Sequence, residues 1–405
     1  MSRTASNRRL DLAPSERSVS AILDDAVAGR RISAGDAHRL LADGDLYELG
    51  MAAHEVRNRF NDPDVATYNI DRNVNYTNVC VYRCRFCAFY RKPGDPEGYL
   101  LPFEEIGQKV EETLALHGTG ILMQGGVHPD LPLSWYEELL GYLRERYPAV
   151  HLHAFSPPEI KFIARKERLS FYDVIARLKA AGLQSIPGGG AEILDDAVRK
   201  EVLAYPKCSA EEWIDVMRQA HRNELRTSAT MMYGMGEPLA ARVEHLQRVR
   251  DLQDETGGFT AFISWTFQHE HTDMPEVPET LPVEYLRTLA VTRLFFDNVE
   301  HLQTSWVTQG KKIGQTALHF GADDMGSIMI EENVVSAAGT AYRMSQEEME
   351  HLIASAGFVP KQRTNLYERF VTREDTEALA RRYHHALTPA NRELAGTGVV
   401  LPVVG

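Results

Sequence analysis

No stretch of this 405-residue chain holds about 18 consecutive apolar residues, the length that a membrane-spanning helix needs. The opening MSRTASNRRLDLAPSERSVS also lacks the apolar core of a signal peptide; it reads as a polar, disordered tail, and the cytoplasm is the expected compartment. Positive charge is in deficit. Lys and Arg number 44 against 57 Asp and Glu, a formal net charge of −13, with the acidic residues spread along the chain. Such a balance repels a polyanion unless a basic stripe offsets it, and RCRFCAFYRK is too short to do so. A nucleic-acid partner is therefore not expected; a small-molecule substrate is. Cysteine is scarce as well. Four in 405 residues make no disulfide framework, and clustered thiols without a secretory signal point to metal or redox chemistry.

What is present is an alternation. Residues 21–62 read as an amino-terminal helical segment, with SAILDDAVAGRR and SAGDAHRLLADG each starting near Ser and repeating apolar residues at three and four. Beyond them come apolar or β-branched runs: VATYNI, GTGILMQGG, VHLHAFS, LQSIPGGG, LRTSATMMYG, FTAFISWTF, HLQTSW and GSIMIEENVV. Between most of them lie amphipathic stretches such as SFYDVIARLKAAG and SAEEWIDVMRQAHRNE. Strands alternating with helices predict a parallel sheet with helical crossovers, and eight of them predict a (β/α)8 TIM-type barrel, here over residues 63–345. Residues 1–20 are then the tail and 346–405 a carboxyl-terminal extension. Barrel active sites lie at the carboxyl ends of the strands, so VCVYRCRFCAFYRK, QGGVHPD, SPPEI, PGGGAEI and YGMGEP are predicted to occupy successive loops at one end.

Cys80, Cys84 and Cys87 fall within eight residues, and no fourth ligand accompanies them. Structural zinc would close its tetrahedron with a second short Cys or His motif, and an ordinary iron–sulfur carrier uses four cysteines. Neither is supplied: Cys208, His117 or His128 would have to serve alone, and Cys208 reads as a buried structural thiol. Three thiolates instead suit a cubane cluster with one iron left open.

The pattern Cys80-x3-Cys84-x2-Cys87, with Phe86 before the third cysteine, resembles the signature of radical S-adenosylmethionine enzymes. The resemblance implies one 4Fe–4S cluster on these three cysteines, its open iron chelated by S-adenosylmethionine. An external donor such as flavodoxin or ferredoxin reduces the cluster, and a 5′-deoxyadenosyl radical then abstracts hydrogen. Gly125 and Gly126 in MQGGV match the turn that meets the methionine amino group, where close backbone approach leaves no room for a side chain. TMMYGMGE resembles the adenine-contacting segment, with Gly234 and Glu237 in place, Thr230 replacing a common Gly and Met232 an aliphatic. Phe86, Phe89, Ser185, Gly188 and Tyr233 complete the cofactor-binding set that the resemblance implies.

Phrases from about residue 70 to 340, among them DRNVNYTNVC, CRFCAFYRKPGDPEGY, HLHAFSPPEI, SIPGGGAEIL and DDMGSIMIEENVVSAAG, are similar to the radical enzymes of the futalosine route to menaquinone. Relatives that make aminodeoxyfutalosine or the deazaflavin chromophore share the Cys-Ala-Phe loop; Tyr76 and the full PGGGAEI run favour the cyclising branch. For that branch the implied substrate is dehypoxanthine futalosine. A ribose hydrogen (C4′) is removed, the carbon radical attacks the benzoate ring to form a spiro system, and one electron and one proton leave. With Cys208 the sole cysteine outside the triad, no auxiliary cluster of ordinary ligation is available to take that electron.

The proton needs a base. His151 and His153 are two apart on a predicted strand and share a face; if they point inward, His153 lies nearer the chemistry, and an unperturbed imidazole pKa of about 6.5 suits the task. Glu159, beyond the strand end, is the second catalytic candidate, alongside a plain helix-start role. Arg91, Arg293, Lys311 and Lys312 are candidate partners for the substrate carboxylate, and Met235 is expected near the mouth with Met231 and Met232 as packing. His269, Glu270, His271 and Asp273 read as a solvated loop, and Asp323, Asp324, Glu331 and Glu332 mostly as caps and solvent-facing charges.

Overall fold

The computed structural model describes Leu12 and residues 14–202, 207–339 and 343–392; most of the expected tail and the last residues of the extension lie outside them. Three helices come first: α1 (Val19–Val27), α2 (Ala34–Asp43) and α3 (Leu46–Phe60). Their starts are set by side chains that satisfy open backbone amides: Ser18 caps α1, rather than Ser20, Ser33 forms a capping box with Asp36, and Asp45 accepts from two amides of α3.

The alternation then runs as β1 (Val65–Asn69), β2 (Asp71–Val74), α4 (Phe103–Ala115), β3 (Gly120–Met123), α5 (Leu133–Arg146), β4 (His151–Ala154), α6 (Pro157–Glu167) and α7 (Phe171–Ala181). It continues with β5 (Ser185–Ile186), α8 (Asp196–Val202), α9 (Ala210–Arg222), β6 (Arg226–Tyr233), α10 (Leu239–Thr256), β7 (Phe259–Thr266) and α11 (Pro282–Phe295). The last part comprises β8 (His301–Gln303), α12 (Trp306–Gln309), α13 (Lys311–Ala317), β9 (Asp324–Ser327), α14 (Gln346–Ser355), β10 (Val359–Gln362) and α15 (Arg373–Tyr383). The final expected strand, GSIMIEENVV, is corrected in extent. β9 begins earlier and stops at Ser327, because Met329 takes a left-handed φ of 52° and the chain then turns away.

All pairings between these strands are parallel, in the order β10-β1-β9-β8-β7-β6-β5-β4-β3-β2. β1 and β2 sit near opposite ends of that order, yet only Ile70 separates them, so one bent segment closes the sheet into a barrel. The Asn69 carbonyl accepts from Ile328 at 3.2 Å, and the Ile70 carbonyl accepts from Thr119 at 3.1 Å on the other side. The bend leaves a gap between the start of β1 and the start of β3, and the extension fills it. β10 pairs with β1 from Val65↔Val359 to Tyr68↔Gln362, and Gln362 donates to the His117 carbonyl at 3.0 Å. Gly120 makes room for the chain just past β10: a Cβ there would lie 2.2 Å from Asn365 Oδ1. The carboxyl-terminal segment is thus part of the barrel's amino-terminal floor.

Candidate active site

Inside the barrel lies a cavity of about 470 Å³ that runs from the cysteine loop to this floor. Cys80, Cys84 and Cys87 all border its mouth. The loop carrying them is irregular but tightly held: Cys80 N–H donates to the Arg91 carbonyl at 2.9 Å, Arg91 N–H to the Asn78 carbonyl at 2.8 Å, and Val81 N–H to the Val127 carbonyl at 3.0 Å. Asp273 N–H donates to the Arg85 carbonyl at 2.8 Å, so QHEHTD is a brace for the cysteine loop; among the described residues, no three His, Cys, Asp or Glu side chains are grouped as a single-ion site.

The donor set fits a thiolate-held cluster. Three thiols face one space, and the one lysine there, Lys207, lies 5.0 Å from the Phe86 ring centroid with Nζ 2.9 Å from Glu192 Oε1. Burial works against the Lys207 ammonium, but Cys84 and Glu192 outweigh it and hold its pKa above the usual lysine range. Cys208 stands apart, 1% exposed, its carbonyl accepting from Arg199 Nε at 3.1 Å.

Beside the cysteines, Gly125 and Gly126 leave a cradle that a Cβ would fill. A Cβ at Gly125 would sit 2.5 Å from the Tyr76 ring, and one at Gly126 would sit 2.4 Å from the Val79 carbonyl oxygen. Gly188 lies across the mouth, its amide donating to Ser228 Oγ at 3.1 Å and its carbonyl accepting from Thr230 Oγ1 at 2.6 Å. Phe86, Phe89, Gly125, Gly126, Gly188 and His153 therefore border the cavity, as the three cysteines do.

Four predicted site residues do not. Glu159 is 1% exposed and its carboxylate is saturated: Oε1 accepts from Tyr76 Oη at 2.5 Å and Gly125 N at 3.2 Å, Oε2 from Ser156 N at 2.7 Å and from Ser156 Oγ. It completes the capping box of α6 and pins the glycine turn, with no oxygen left for substrate. Burial raises its pKa against those four donors. Glu237 is spent likewise, accepting from Gly234 N at 2.9 Å, Met235 N at 2.8 Å and Arg242 Nε at 2.8 Å. Tyr233 is buried beneath the Arg242 guanidinium, 4.5 Å from its ring centroid. Ser185 is buried between two imidazoles, its Oγ 2.6 Å from His153 Nδ1 and 2.7 Å from His151 Nε2.

The two histidines share a face, as the strand period requires, but His153 alone borders the cavity. Burial pushes its pKa down to about 3 and that of His151 to about 4, so both rings are neutral at physiological pH.

The cavity also gathers residues that the sequence pattern did not single out. Asn69, Asp71, Asn73 and Asn75 project inward from β1, β2 and the loop after them at every second position, a ladder legible as alternation in NIDRNVN. At the floor, Arg363 makes a two-pronged ion pair with Asp324, at 2.5 and 3.0 Å, and packs 3.8 Å from the Tyr367 ring centroid. Asn69 Nδ2 donates to Asp71 Oδ2 at 3.0 Å. Three buried acceptors there have no hydrogen-bond partner among the described residues: Asn69 Oδ1, Asp71 Oδ1 and Asn365 Oδ1. Burial raises the Asp71 carboxyl above the usual range.

Other expectations change with the geometry. Arg91 is held by Glu97 and nearby carbonyls, Arg293 by Asp323, and Lys311 by Glu348; neither they nor Lys312 border the cavity, whose cations among the described residues are Arg363 and Lys207. Met232 lines the mouth and Met235 does not. Asp323, Asp324 and Glu331 are not solvent-facing charges: they pair with Arg293, Arg363 and Arg72 respectively. Glu332 caps the turn at Val334–Ser336 and borders the cavity.

Comparison with known proteins agrees with this arrangement. Residues 74–249 match the radical SAM superfamily, and residues 256–376 match the CofH/MqnC C-terminal region. The chain is 46% identical to the cyclic dehypoxanthine futalosine synthase of Halalkalibacterium halodurans, over 89% of this chain and 97% of that protein. It is 45% identical to the synthase of the same name from Streptomyces coelicolor, over 87% and 89%. Aminodeoxyfutalosine synthase of Streptomyces coelicolor is 38% identical, over 84% of this chain and 91% of that protein. Among solved structures, the FeFe-hydrogenase maturase HydG from Carboxydothermus hydrogenoformans shares the fold, with a TM-score of 0.67 and 16% identity over 93% of this chain and 87% of that one. A triad of thiols at the mouth of a closed parallel barrel, with these relatives spanning nearly the whole chain, leaves one classification: the protein belongs to the radical SAM superfamily and, within it, to the cyclic dehypoxanthine futalosine synthase family.

Proposed function

We propose that this chain is a radical cyclase that converts dehypoxanthine futalosine into its cyclic form. The observation that carries the reading is the cavity itself, with three thiols at its mouth and hydrogen-bond acceptors lacking donors at its floor. Cys80, Cys84 and Cys87 would hold the 4Fe–4S cluster, and Gly125, Gly126 and Gly188, with Phe86 and Phe89, would border S-adenosylmethionine. Together these groups supply a hydrogen-abstracting radical once an external donor of the flavodoxin or ferredoxin kind has delivered an electron.

The chain's own residues do the rest. Asn69, Asp71 and Asn365 offer unpaired acceptors, and sugar hydroxyls are the donors that complete them. This favours a polyhydroxylated substrate over the enolpyruvyl-benzoate of the aminodeoxyfutalosine reaction, the alternative reading. His153 presents Nε2, which makes no hydrogen bond among the described residues, and is the proton acceptor. The barrel wall and floor exclude water from a carbon radical. No helix among the described residues is long and apolar enough to cross a membrane, and the proposed site of action is the cytoplasm.

The test is anaerobic reconstitution with S-adenosylmethionine, reductant and dehypoxanthine futalosine, with products followed by mass. The expected result is substrate-dependent 5′-deoxyadenosine and a nucleoside lighter than its substrate by two hydrogens. Cys80→Ala, Cys84→Ala and Cys87→Ala should each abolish both products, whereas Cys208→Ala should keep them. Deoxyadenosine without the lighter nucleoside would redirect the reading to the aminodeoxyfutalosine type of substrate; neither product from a fully loaded cluster would overturn it.

A further inference from the structure

Ser185 is buried, and one oxygen of it touches two imidazoles. A hydroxyl has one proton, so Ser185 Oγ donates to one ring and accepts from the other. Both rings are neutral, and each neutral imidazole has one N–H and one bare nitrogen. Two arrangements satisfy these bonds, and the one that a proton acceptor requires has His153 Nδ1–H donating to Ser185 Oγ and the Ser185 hydroxyl donating to His151 Nε2. It leaves the bare nitrogen of His153, Nε2, toward the cavity. His151 opens β4 at the end of the barrel opposite the cysteines, and its side chain is part-exposed.

We infer that His153, Ser185 and His151 form a proton relay that carries the ring proton from the cavity to the amino-terminal face of the barrel. The inference rests on the cyclisation proposed above. In that step a bond forms between the ribose carbon and a benzoate ring carbon, and the C–H bond of that ring carbon breaks. Its electron pair stays in the ring, the unpaired electron passes to a one-electron acceptor of the iron–sulfur class, and the proton goes to His153 Nε2. His153 then releases Nδ1–H to Ser185 Oγ, which passes its own proton to His151 Nε2, and His151 gives up Nδ1–H to solvent. Both imidazoles end in their other tautomer, and exchange of their nitrogen-bound protons with water after product leaves restores the starting state.

A weak base is suited to this task. Loss of the proton restores aromaticity, so it needs little driving force from the acceptor, and a ring that resists charging does not retain what it receives. Asp71 lies one strand layer nearer the floor, with Oδ2 bonded to Asn69 and Oδ1 assigned above to a sugar hydroxyl, and Arg363 adds positive charge on that side. On the outer side, Arg144 near His151 likewise disfavours a resting imidazolium.

Ser185→Ala separates the relay from the radical chemistry. It should leave substrate-dependent 5′-deoxyadenosine formation within about twofold of wild type while the cyclised product per deoxyadenosine falls at least fivefold. Deuterium on the attacked ring carbon should then slow product formation in Ser185→Ala more than in wild type, because proton loss has become limiting. Ser185→Thr, which keeps the hydroxyl, should keep the wild-type ratio, and His151→Gln, which removes the exit, should reproduce the defect. An unchanged product-to-deoxyadenosine ratio in Ser185→Ala and His151→Gln, or a parallel fall of both products, would overturn the relay. Wild-type protein that forms deoxyadenosine but no cyclised product would overturn the functional reading itself and the relay with it.

Discussion

A methyl group at Gly126 would meet the Val79 carbonyl oxygen at 2.4 Å, and that carbonyl belongs to backbone one residue ahead of Cys80. Neither side is the free end of a flexible chain, so the strain must move the cysteine loop or the glycine turn. Gly126→Ala is expected to cost about 1–3 kcal/mol of stability, the range for overpacking a close contact. It should also lower iron bound per chain after reconstitution; thermal melting and iron analysis measure the two effects separately. Gly125 faces the Tyr76 ring instead, which has its own hydroxyl tied to Glu159. The glycine turn is thus clamped by a carboxylate that the sequence marks as a catalytic candidate. Its type, its position and its helix-start role were legible, and Ser156 is its own helix's cap, but its saturation by Tyr76 and Gly125 was not, because those two partners come from distant loops.

At the level of strands and loops, the sequence carries most of the pattern. The apolar runs mark the strands, and the polar and glycine-rich phrases after them do converge at one end of the barrel. The inward ladder of Asn69, Asp71, Asn73 and Asn75 was also within reach, since polar residues at every second position of a strand inside a barrel point to a wet cavity. The floor was out of reach. Arg363, Asn365 and Tyr367 sit in KQRTNLYERF, which has no strand-like period beyond β10, and their partners lie far away in sequence. Arg363 and Asp324 form a buried pair, and removing one charge strands the other. Arg363→Met is expected to destabilise the protein by about 3–5 kcal/mol, whereas the double variant with Asp324→Asn should recover most of that loss. Urea unfolding of the two variants beside wild type tests it. Equal losses in both would show that the pair's charge does not set the cost.

For the molecule as a whole, buried histidines set a pH response. Burial pushes His151 and His221 down to about 4 and His153 and His245 to about 3. In the unfolded chain each takes up a proton near pH 6.5, so below that value the unfolded state binds more protons and is favoured. Stability from these rings is complete above pH 6.5 and is lost progressively as pH falls toward 4. The raised carboxyls Asp71, Glu159, Glu244 and Glu332 act in the opposite sense, while His54, His117 and His128, also held low by burial, add to the four rings. Unfolding free energy measured in urea is expected to drop from pH 7 to pH 5 by on the order of 1 kcal/mol per ring. His221 lies outside the cavity, bonded to Thr256 Oγ1 at 2.6 Å and Thr227 Oγ1 at 2.8 Å. His221→Gln should therefore show a shallower drop without altering the site, and an unchanged slope would assign the response elsewhere.

The wedge that β10 drives beside β1 also has a consequence for how the protein is made. A ribosome delivers Cys80, Cys84 and Cys87 early, when the inward ladder of β1 and β2 has no opposite wall. Thr67 must wait for Asp324, 257 residues downstream, and Tyr68 for the Arg363 amide beyond it. Contacts so distant in sequence close slowly, because the intervening loop must be ordered before they form. During translation the thiol loop is therefore exposed in an open trough for most of the time that the chain is growing, and it becomes the mouth of a floored chamber only when the last described strand arrives.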